Sequence, residues 1–560
     1  MKLNNVLFFL LIINSVENKT NARDWQWANK IGITNSDTKI NAINKYTGDN
    51  IIVAGSFTSP TLSFSAHTLT NSGQEDGFFA VLDKNGNYLW ANKIGGIAED
   101  QITKIASDKF GNIYVAGNYK SLSLNVGGYT LINSGESDGF LVKFSPSNAI
   151  EWAKSISTNL IDEITGLAVD STGNVYVGGH SNQHPAFNVF IMKFDSNSNL
   201  LWDEYGATPD TTGNYLVSTS LTLDNNQNVY FSGSVYGLAT FSNTQTIGNG
   251  SAGGFIVKYN SSGSFATGIA DTNFTQVNSM ASFNNELYVC GEKKTWGMGW
   301  GWPLQYSKIY VAKYTDVLNK VWQKENGGTP INGFNENYDV AKTISIDELG
   351  NAYVAGFSFS DTLHFANDEL LNVFYQNYYY PQAFVFKYGP TGSELWGKFI
   401  GGYLVDEASV VLAASDDAFY LGGVFESDSI SFDNLVLENT GTLDTLYVHL
   451  SPFRYQRKQL SFISFYENDS LINVGELNGQ SNISIFPNPG NEYFFIEFKT
   501  KPTSIISVAI YAIDGRLIKT EYYNSPTTLL KTAINELVSG IYFIVVDSNN
   551  SRTTHKLIKE

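Results

Sequence analysis

The chain has 560 residues, with 35 Lys and Arg against 53 Asp and Glu, a formal net charge of −18 and one cysteine. This length exceeds what one hydrophobic core usually fills, so at least two domains are expected. The acidic balance argues against nucleic acid as a partner, because a phosphate-binding groove needs a basic footprint. The lone Cys290 excludes an intramolecular disulfide, and its strand of small residues favours a buried, inert thiol over a nucleophile.

The N-terminus combines a single lysine, Lys2, with an uninterrupted apolar run over residues 6–13. Such a run is too short to span a bilayer and is typical of a secretory signal peptide. We therefore expect a leader over residues 1–22 with cleavage after Ala22, and no transmembrane segment in the mature chain. No cysteine follows the run, which argues against a lipoprotein anchor.

A motif of the form Asp-x-x-Gly-Asn-x-Tyr-Val-x-Gly recurs along the chain, with clear copies at Asp108, Asp170 and Asp347. Asp, Gly and Asn are turn residues, and the β-branched and aromatic residues that follow favour a strand. A spacing of about 60 residues between copies indicates internal structural repeats. The closing glycines of the clear and looser copies are Gly55, Gly117, Gly179, Gly233, Gly291, Gly356 and Gly423.

Each repeat continues with an apolar third strand, which is Leu446-Tyr-Val-His-Leu in the seventh, and with a fourth strand marked by an aromatic residue. Four strands repeated seven times predict an all-β fold, a seven-bladed β-propeller. We interpret the fourth-strand aromatics as docking residues between neighbouring blades. The segment around Trp90 resembles the tryptophan-docking repeats of quinoprotein propellers in this packing role alone, and no cofactor is predicted. These aromatics are Trp90, Trp152, Trp202, Phe265, Trp322 and Trp396.

The first residues of the repeat region match a fourth strand, because residues 25–32 resemble residues 90–95, whereas the seventh repeat has no convincing fourth strand. We expect the N-terminal strand to complete the last blade, which would remove an open sheet edge. The alternative is that residues 460–465 close this blade. The predicted propeller covers residues 23–453.

Aromatic residues cluster in two of the predicted connections between second and third strands, and both connections should emerge on one face. Exposed aromatic rings suit the flat faces of sugars. The alternative is that these loops fold onto the blade edges as local cores. The candidate ligand-binding residues are Trp296, Trp300, Trp302, Tyr378, Tyr379 and Tyr380.

An aspartate precedes or begins the first strand in five repeats. First strands of a propeller line its central channel, so these carboxylates could form a partial ring, and oxygen ligands would suit Ca²⁺. The alternative, which we favour, is that each aspartate caps its own loop by accepting backbone N–H bonds. The candidate metal ligands are Asp37, Asp100, Asp162, Asp339 and Asp406.

Motifs for catalysis are missing from the sequence: it has no His-Glu-x-x-His, no Gly-x-Ser-x-Gly and no phosphate loop. His180 and His184 fall in a polar stretch that predicts a loop and not a metal-binding helix. We therefore predict no catalytic residues. A polysaccharide-active enzyme that uses the axial carboxylates is one alternative, and a structural surface protein is another. Adjacent carboxylates such as Asp162 and Glu163 would face opposite ways on a strand.

The repeats between Trp25 and Phe453 resemble the bacterial β-propeller repeats called SBBP. The resemblance rests on the Asp-x-x-Gly-Asn-x-Tyr-Val-x-Gly motif followed by Asp-Gly-Phe-x-Val-Lys-Phe. It implies a fold and an extracellular location, not an activity.

The repeat pattern lapses after Phe453, and residues 454–480 have the composition of a linker. Short alternating strands over residues 481–560 predict a small immunoglobulin-like β-sandwich. This module closely resembles the type A C-terminal sorting domain of the type IX secretion system of Bacteroidetes. The matching residues are Pro487, Asn488, Pro489, Asp514, Gly515, Gly540, Tyr542 and Lys556.

That resemblance implies contact with the type IX secretion machinery, transport across the outer membrane, and usually removal of the module with attachment of the protein to surface polysaccharide. We predict a secreted, cell-surface propeller that works as a binding or adhesion module for a glycan or protein.

Overall fold

A computed structural model provides the structure of the chain. It describes residues 23–33, 36–157, 162–183, 186–208, 214–242, 245–299, 302–328, 338–366, 368–372, 374–375, 378–415, 417–441, 444–448, 451–456, 458–468, 483–486, 492–498, 501, 506–512, 517–523, 527–548 and 551–559. The predicted leader at residues 1–22 and its cleavage after Ala22 lie outside the described residues. Within the described ranges no helix occurs, and the all-β prediction is confirmed. The described residues include no helix long and apolar enough to cross a membrane.

The chain divides into two compact units, of which the larger spans Asp24–Glu467 and the smaller includes Asn468–Glu560. The larger unit consists of antiparallel groups of four successive main strands, each of which we call a blade. Blades 3 and 4 are joined into one eight-stranded sheet, because Gly206 and Ala207 pair with Phe241 and Thr240. Strand β1 (Arg23–Ile31) precedes them. Blade 1 contains β2 (Thr38–Lys45), β3 (Ile51–Phe57), the hairpin β4 (Thr61–Phe64) and β5 (His67–Thr70), β6 (Asp76–Leu82) and β7 (Tyr88–Ile94). Blade 2 contains β8 (Asp100–Ser107), β9 (Ile113–Tyr119), the hairpin β10 (Ser123–Val126) and β11 (Tyr129–Ile132), β12 (Asp138–Phe144) and β13 (Ile150–Ile156).

The next three blades lack the small outer hairpin within their described residues. Blade 3 contains β14 (Asp162–Val169), β15 (Val175–Gln183), β16 (Ala186–Phe194) and β17 (Leu200–Ala207). Blade 4 contains β18 (Tyr215–Leu223), β19 (Val229–Phe241), β20 (Gln245–Tyr259) and β21 (Phe265–Asp271). Blade 5 contains β22 (Gln276–Phe283), β23 (Glu286–Gly299), β24 (Trp302–Tyr314) and β25 (Lys320–Asn326).

The last two blades carry two outer hairpins each. Blade 6 contains β26 (Asp339–Ile346), β27 (Ala352–Ser358), the hairpins β28 (Thr362–Phe365) with β29 (Asp368–Leu371) and β30 (Phe374–Tyr375) with β31 (Tyr378–Tyr379), then β32 (Gln382–Tyr388) and β33 (Glu394–Ile400). Blade 7 contains β34 (Asp406–Ser415), β35 (Ala418–Phe425), the hairpins β36 (Ser429–Phe432) with β37 (Leu435–Glu438) and β38 (Asp444–Val448) with β39 (Ser451–Gln456), then β40 (Leu460–Asn468). The fourth strand of blade 7 is β1.

The first strands of the blades form a closed circuit. Contacts run from β2 to β8, β14, β18, β22, β26 and β34, and β34 in turn contacts β2. Each first strand carries a β-bulge, for example at Thr103 between Ile102 and Lys104. Closure of this kind leaves each blade only a short inner edge, which is protected by the neighbouring blades.

Polar side chains at the bulges tie successive blades together. Thr103 of blade 2 donates to the carbonyl of Ile164 in blade 3 at 2.8 Å. Asn278 of blade 5 donates to the carbonyl of Ala341 in blade 6 at 2.8 Å. A bulge removes a residue from the ladder and redirects its side chain, which here reaches the neighbouring blade. Asn41 and Thr219 donate in the same way to the carbonyls of Ile102 and Val277, whereas Thr165 bonds the Ser218 hydroxyl and Lys342 pairs with the Glu407 carboxylate.

The fourth-strand tryptophans dock on the turn between the third and fourth strands of the next blade. Trp152 Nε1 donates to the carbonyl of Ser196 at 3.0 Å, and Trp322 Nε1 donates to the carbonyl of Pro390 at 3.0 Å. Trp27 of β1 donates in the same way to Lys84 of blade 1 at 2.9 Å. Its ring lies so close to Gly86, which has φ +81°, that a Cβ there would come within 2.7 Å. The predicted docking role of these tryptophans is confirmed.

Blade 7 corrects the sequence prediction in one respect. Its third strand is β40, which pairs with β35, whereas residues 446–448 of the predicted third strand lie in β38 of the outer hairpin. Residues 460–465, the predicted alternative to β1, and β1 itself both belong to the blade. The propeller therefore extends to Glu467, and the linker predicted from residue 454 starts later, because an inserted hairpin postpones the third strand.

The smaller unit consists of two sheets around one core. One sheet contains β41 (Ile483–Phe486), β42 (Tyr493–Phe498) and β45 (Leu529–Ala533). The other contains β43 (Ile506–Ala512), β44 (Leu517–Tyr523), β46 (Gly540–Ser548) and β47 (Ser551–Lys559). Side chains of both sheets share a buried cluster that includes Ile496, Val508, Leu530 and Ile544. This is a β-sandwich, and its immunoglobulin-like character stays a prediction.

Candidate functional site

Three of the predicted channel aspartates cap loops. Asp100 is fully buried and accepts hydrogen bonds from the backbone N–H of Gly96 at 2.6 Å and from the Ser121 hydroxyl at 2.7 Å. Asp406 repeats this arrangement with Gly402 N at 2.6 Å and Ser427 Oγ at 2.7 Å. A carboxylate saturated by such donors is held in place and closes its own loop. Asp339 does the same through Ser358, Ser360 and Gly328.

Of the other two predicted aspartates, Asp37 differs from these three, and Asp162 shares with Asp100 and Asp406 a bond from its backbone N–H to the preceding blade segment. Asp37 lies one residue before the equivalent strand position, which Thr38 occupies; Asp37 accepts from Gln459 N at 3.0 Å and pairs with Lys458 at 2.9 Å. Asp162 is buried, and its N–H donates to the carbonyl of Ser137 at 2.9 Å. Throughout the described ranges, no three His, Cys, Asp or Glu side chains come close enough together to hold a metal ion.

Burial governs the titration of the Asp406 carboxyl. Removal from water raises the pKa of Asp406 to about 7, and the bonds from Ser427 and Gly402 oppose this shift. Cys290 is also fully buried, and burial raises the pKa of its thiol above the usual range, as expected for an inert cysteine.

The predicted aromatic residues have different outcomes. Tyr380 is 1% exposed and forms part of the core, so it cannot offer a ring to a ligand in this conformation. Trp296 and Trp302 lie in the hairpin of β23 and β24, where they pair in register with Gln305 and Gly299. This hairpin extends beyond Glu292 by seven residues of β23, a length of about 23 Å. Trp300 lies outside the described residues, as do the side chains of Trp296, Trp302, Tyr378 and Tyr379.

A described aromatic pair lies beside the base of that hairpin. Tyr215 and Tyr236 of blade 4 are paired in register and stack with their ring centroids 6.0 Å apart and an interplanar angle of 17°. Tyr236 is 41% exposed. Burial raises the pKa of Tyr215, and the nearby Lys294 of β23 opposes the shift. We call the end of the propeller where the first strands begin the upper face, and this aromatic pair lies there.

A polar pocket of about 510 Å³ lies on the upper face between blades 2 and 3. Lys120 Nζ is 2.5 Å from Glu99 Oε2, and this hydrogen bond, with the charges of Glu99, Glu75 and Glu163, raises the pKa of Lys120. A hydrogen bond links the two blades at this pocket: the N–H of Ile164 in blade 3 donates to Asn118 Oδ1 in blade 2 at 2.8 Å. The lining residues are Glu99, Gln101, Asn118, Lys120, Glu136, Ser137 and Glu163.

Buried His180 connects this pocket to blade 4. It lies in β15 and not in the predicted loop, and His184 lies outside the described residues. Its Nε2 is 3.5 Å from Glu163 Oε2, and its Nδ1 is 3.3 Å from Ser218 Oγ on β18. Burial lowers the pKa of His180, although the negative charges of Glu163 and Asp162 oppose the shift.

Strand alternation separates the buried aspartates from the residues of the pocket. Asp162 begins β14 facing the core, so the next residue, Glu163, faces the opposite side, as the sequence predicts for this pair, and lines the pocket. Gln101 is a pocket residue that the sequence analysis did not name, although it follows Asp100 in the same way. Nothing local identifies the Tyr215–Tyr236 pair, because its members meet only through the register of β18 and β19.

The predicted sorting residues fall partly within the described ranges of the sandwich. Gly540 begins β46, and Tyr542 is buried with its hydroxyl donating to the carbonyl of Val538 at 2.7 Å. Lys556 lies in β47 and pairs in register with Phe543. Pro487, Asn488, Pro489, Asp514 and Gly515 lie outside the described residues.

Comparisons with known proteins match both parts of the chain. Residues 484–560 match the secretion system C-terminal sorting domain, and residues 90–118 and 151–184 match the beta-propeller repeat family called SBBP. An uncharacterized WD repeat-containing protein of Acanthamoeba polyphaga mimivirus is 28% identical over 183 residues, which is 28% of this chain. The chain matches only 13% of the length of that relative.

Two solved structures resemble the chain distantly. The polysaccharide lyase Uly1 has a TM-score of 0.39 at 9% identity, covering 82% of this chain and 94% of its own. A mutant puromycin hydrolase complexed with PGG has a TM-score of 0.29 at 9% identity, covering 69% of this chain and 58% of its own. The two family matches identify the chain as one that joins β-propeller repeats to a type IX sorting domain, a protein exported to the cell surface or the extracellular space.

Proposed function

We propose that the exported propeller is a binding module whose upper face takes a saccharide. The observation that carries this proposal is the stacked pair Tyr215–Tyr236 at the base of the long blade 5 hairpin, in which Tyr236 is exposed and Tyr215 is half-buried. Aromatic rings that stay exposed on a folded surface mark interaction sites, and their apolar faces match the C–H faces of sugar rings.

The charged residues around the tyrosine pair favour a polar ligand at this position. Lys294 forms an ion pair of 2.8 Å with the buried Glu292 next to Tyr215, and the partly exposed Lys294 ammonium supplies donors for sugar hydroxyls. The hairpin carries three further predicted ligand residues, Trp296, Trp300 and Trp302. A site with apolar platforms and a few charged groups is typical of saccharide recognition.

The test is glycan-array binding by the full chain, followed by affinity measurements on the glycan that binds. Tyr236→Ala and Trp300→Ala should each lower the affinity about tenfold, the equivalent of about 1.4 kcal/mol. Phe110→Ala is the matched control, because Phe110 is an exposed aromatic at the opposite end of blade 2, with 61% of its surface accessible. An array without any bound glycan would refute the proposal and favour a structural surface protein.

An enzyme acting on the same saccharide is the second candidate, favoured by the glutamate-lined pocket between blades 2 and 3. The capping role of Asp100 removes that residue from consideration as an acid or base, whereas Glu99 and Glu163 are accessible. Shortening of a bound oligosaccharide by the wild-type chain, abolished in Glu163→Gln, would establish this activity. An unchanged oligosaccharide after prolonged incubation would leave binding as the function.

A further inference from the structure

We infer that the saccharide bound on the upper face carries an ammonium group, as an amino sugar does, and that Glu136 and Glu163 receive it. This inference rests on the proposed saccharide-binding function and specifies its ligand class. It starts from the charges of the pocket between blades 2 and 3.

The positive charge of the pocket is already neutralised from within. Lys120, the cationic side chain among the lining residues, pairs with Glu99 at 2.5 Å. Glu136 is exposed at the rim, and among the described residues it has no cationic partner. The pocket therefore keeps an excess of carboxylate, which attracts a cation and repels uronic acids or sulfated sugars.

His180 keeps the negative charge of Glu163 available. The groups that face the imidazole are Glu163 and Asp162 from β14 and the Ser218 hydroxyl from β18, while its register neighbour on β16 is the apolar Val189. Burial lowers the pKa of His180 and so favours the neutral imidazole. A neutral imidazole positions the carboxylate without neutralising it, so a ligand ammonium would complete the ion pair.

The pocket and the aromatic pair share neighbouring strands. Ser218, which contacts His180, lies three residues from Tyr215 on β18, a distance of about 10 Å along the strand. The proposed ligand is a few sugar rings long, stacks on the tyrosines and places its amino group in the pocket.

The experiment compares three oligosaccharides of equal length on the full chain at pH 6.5: a glucosamine oligomer, its N-acetylated counterpart and a galacturonate oligomer. We expect the glucosamine oligomer to bind about tenfold more tightly than the N-acetylated one, and the galacturonate oligomer most weakly. Glu163→Gln and Glu136→Gln should each remove most of the preference for the amine. Glu348→Gln is the control, because it makes the same charge change at an exposed site on the opposite face of blade 6.

The outcomes separate this inference from the proposed function. Equal or tighter binding of the N-acetylated or galacturonate oligomer would overturn the ammonium preference and leave saccharide binding intact. A preference that persists in both Glu→Gln variants would also overturn it, because the charge would then come from elsewhere. Binding of none of the three, together with a blank glycan array, would refute the saccharide function itself.

Discussion

Truncation of Trp25 provides a direct test of how the propeller closes. Trp25 lies in β1, is 4% exposed, and meets three aromatic rings of blade 7 edge-on. The ring centroids of Phe419, Phe432 and Tyr466 are 5.6, 5.0 and 5.4 Å away. If β1 is the strand that closes the ring, this contact holds the two ends of the propeller together.

The expected cost follows from the size of the lost side chain. Replacing a buried tryptophan with alanine usually costs about 3–5 kcal/mol, because apolar contact is lost and a cavity remains. Total stabilities of domains are about 5–15 kcal/mol, so Trp25→Ala should remove a large part of the free energy of unfolding. Trp25→Phe keeps an aromatic ring and should lose less.

Urea denaturation followed by far-UV circular dichroism measures this loss. Phe110→Ala is the control, and we expect it to change the free energy of unfolding by no more than about 0.5 kcal/mol, since Phe110 is exposed. The reasoning would be refuted if Trp25→Ala behaved like Phe110→Ala, because β1 would then contribute nothing to closure.

Four further predictions follow from the same contacts. Asn278→Ala should lower the free energy of unfolding by about 1 kcal/mol, because it removes the hydrogen bond to the Ala341 carbonyl. A loss no larger than that caused by an exposed Asn→Ala substitution would show that the hydrogen bonds between blades do not stabilise the fold. Because the pKa of Asp406 is raised to about 7 in the fold, its contribution to the free energy of unfolding is present at acid pH and is lost as the pH rises through about 7. The stability of Asp406→Asn relative to wild type should therefore be higher at pH 8 than at pH 4. A stability difference that does not change with pH would contradict this. Since Asp100 is saturated by loop donors, EDTA or added Ca²⁺ should leave the thermal midpoint unchanged, and a shift would reveal a metal. Deleting residues 484–560 should keep the protein inside the cell, as cell fractionation would show, whereas continued appearance at the surface would exclude this module as the export determinant.

Local chemistry made the repeat readable from sequence. Asp108 accepts hydrogen bonds from the backbone N–H groups of Phe110 and Asn112, both at 2.9 Å, and Gly111 adopts a φ of +83°. The conformation of this turn therefore depends only on five consecutive residues. The spacing of these turns and of the tryptophans predicted the docking seen for Trp152. Export was equally predictable, because the sorting domain is identified by residues of its own sequence.

Long-range pairing decided the rest. The third strand of blade 7 is β40 and not the apolar run at residues 446–450. Its place is determined by pairing with β35, which lies far from it in sequence. The same holds for Tyr215 and Tyr236, which meet across a strand pair, and for the pocket between blades 2 and 3. Sequence by itself determined the repeating unit, its turns and its route out of the cell, because those depend on neighbouring residues. The tertiary structure alone decided that Glu99, Glu136 and Glu163 line one pocket, because residues from different strands come together only once neighbouring blades have packed.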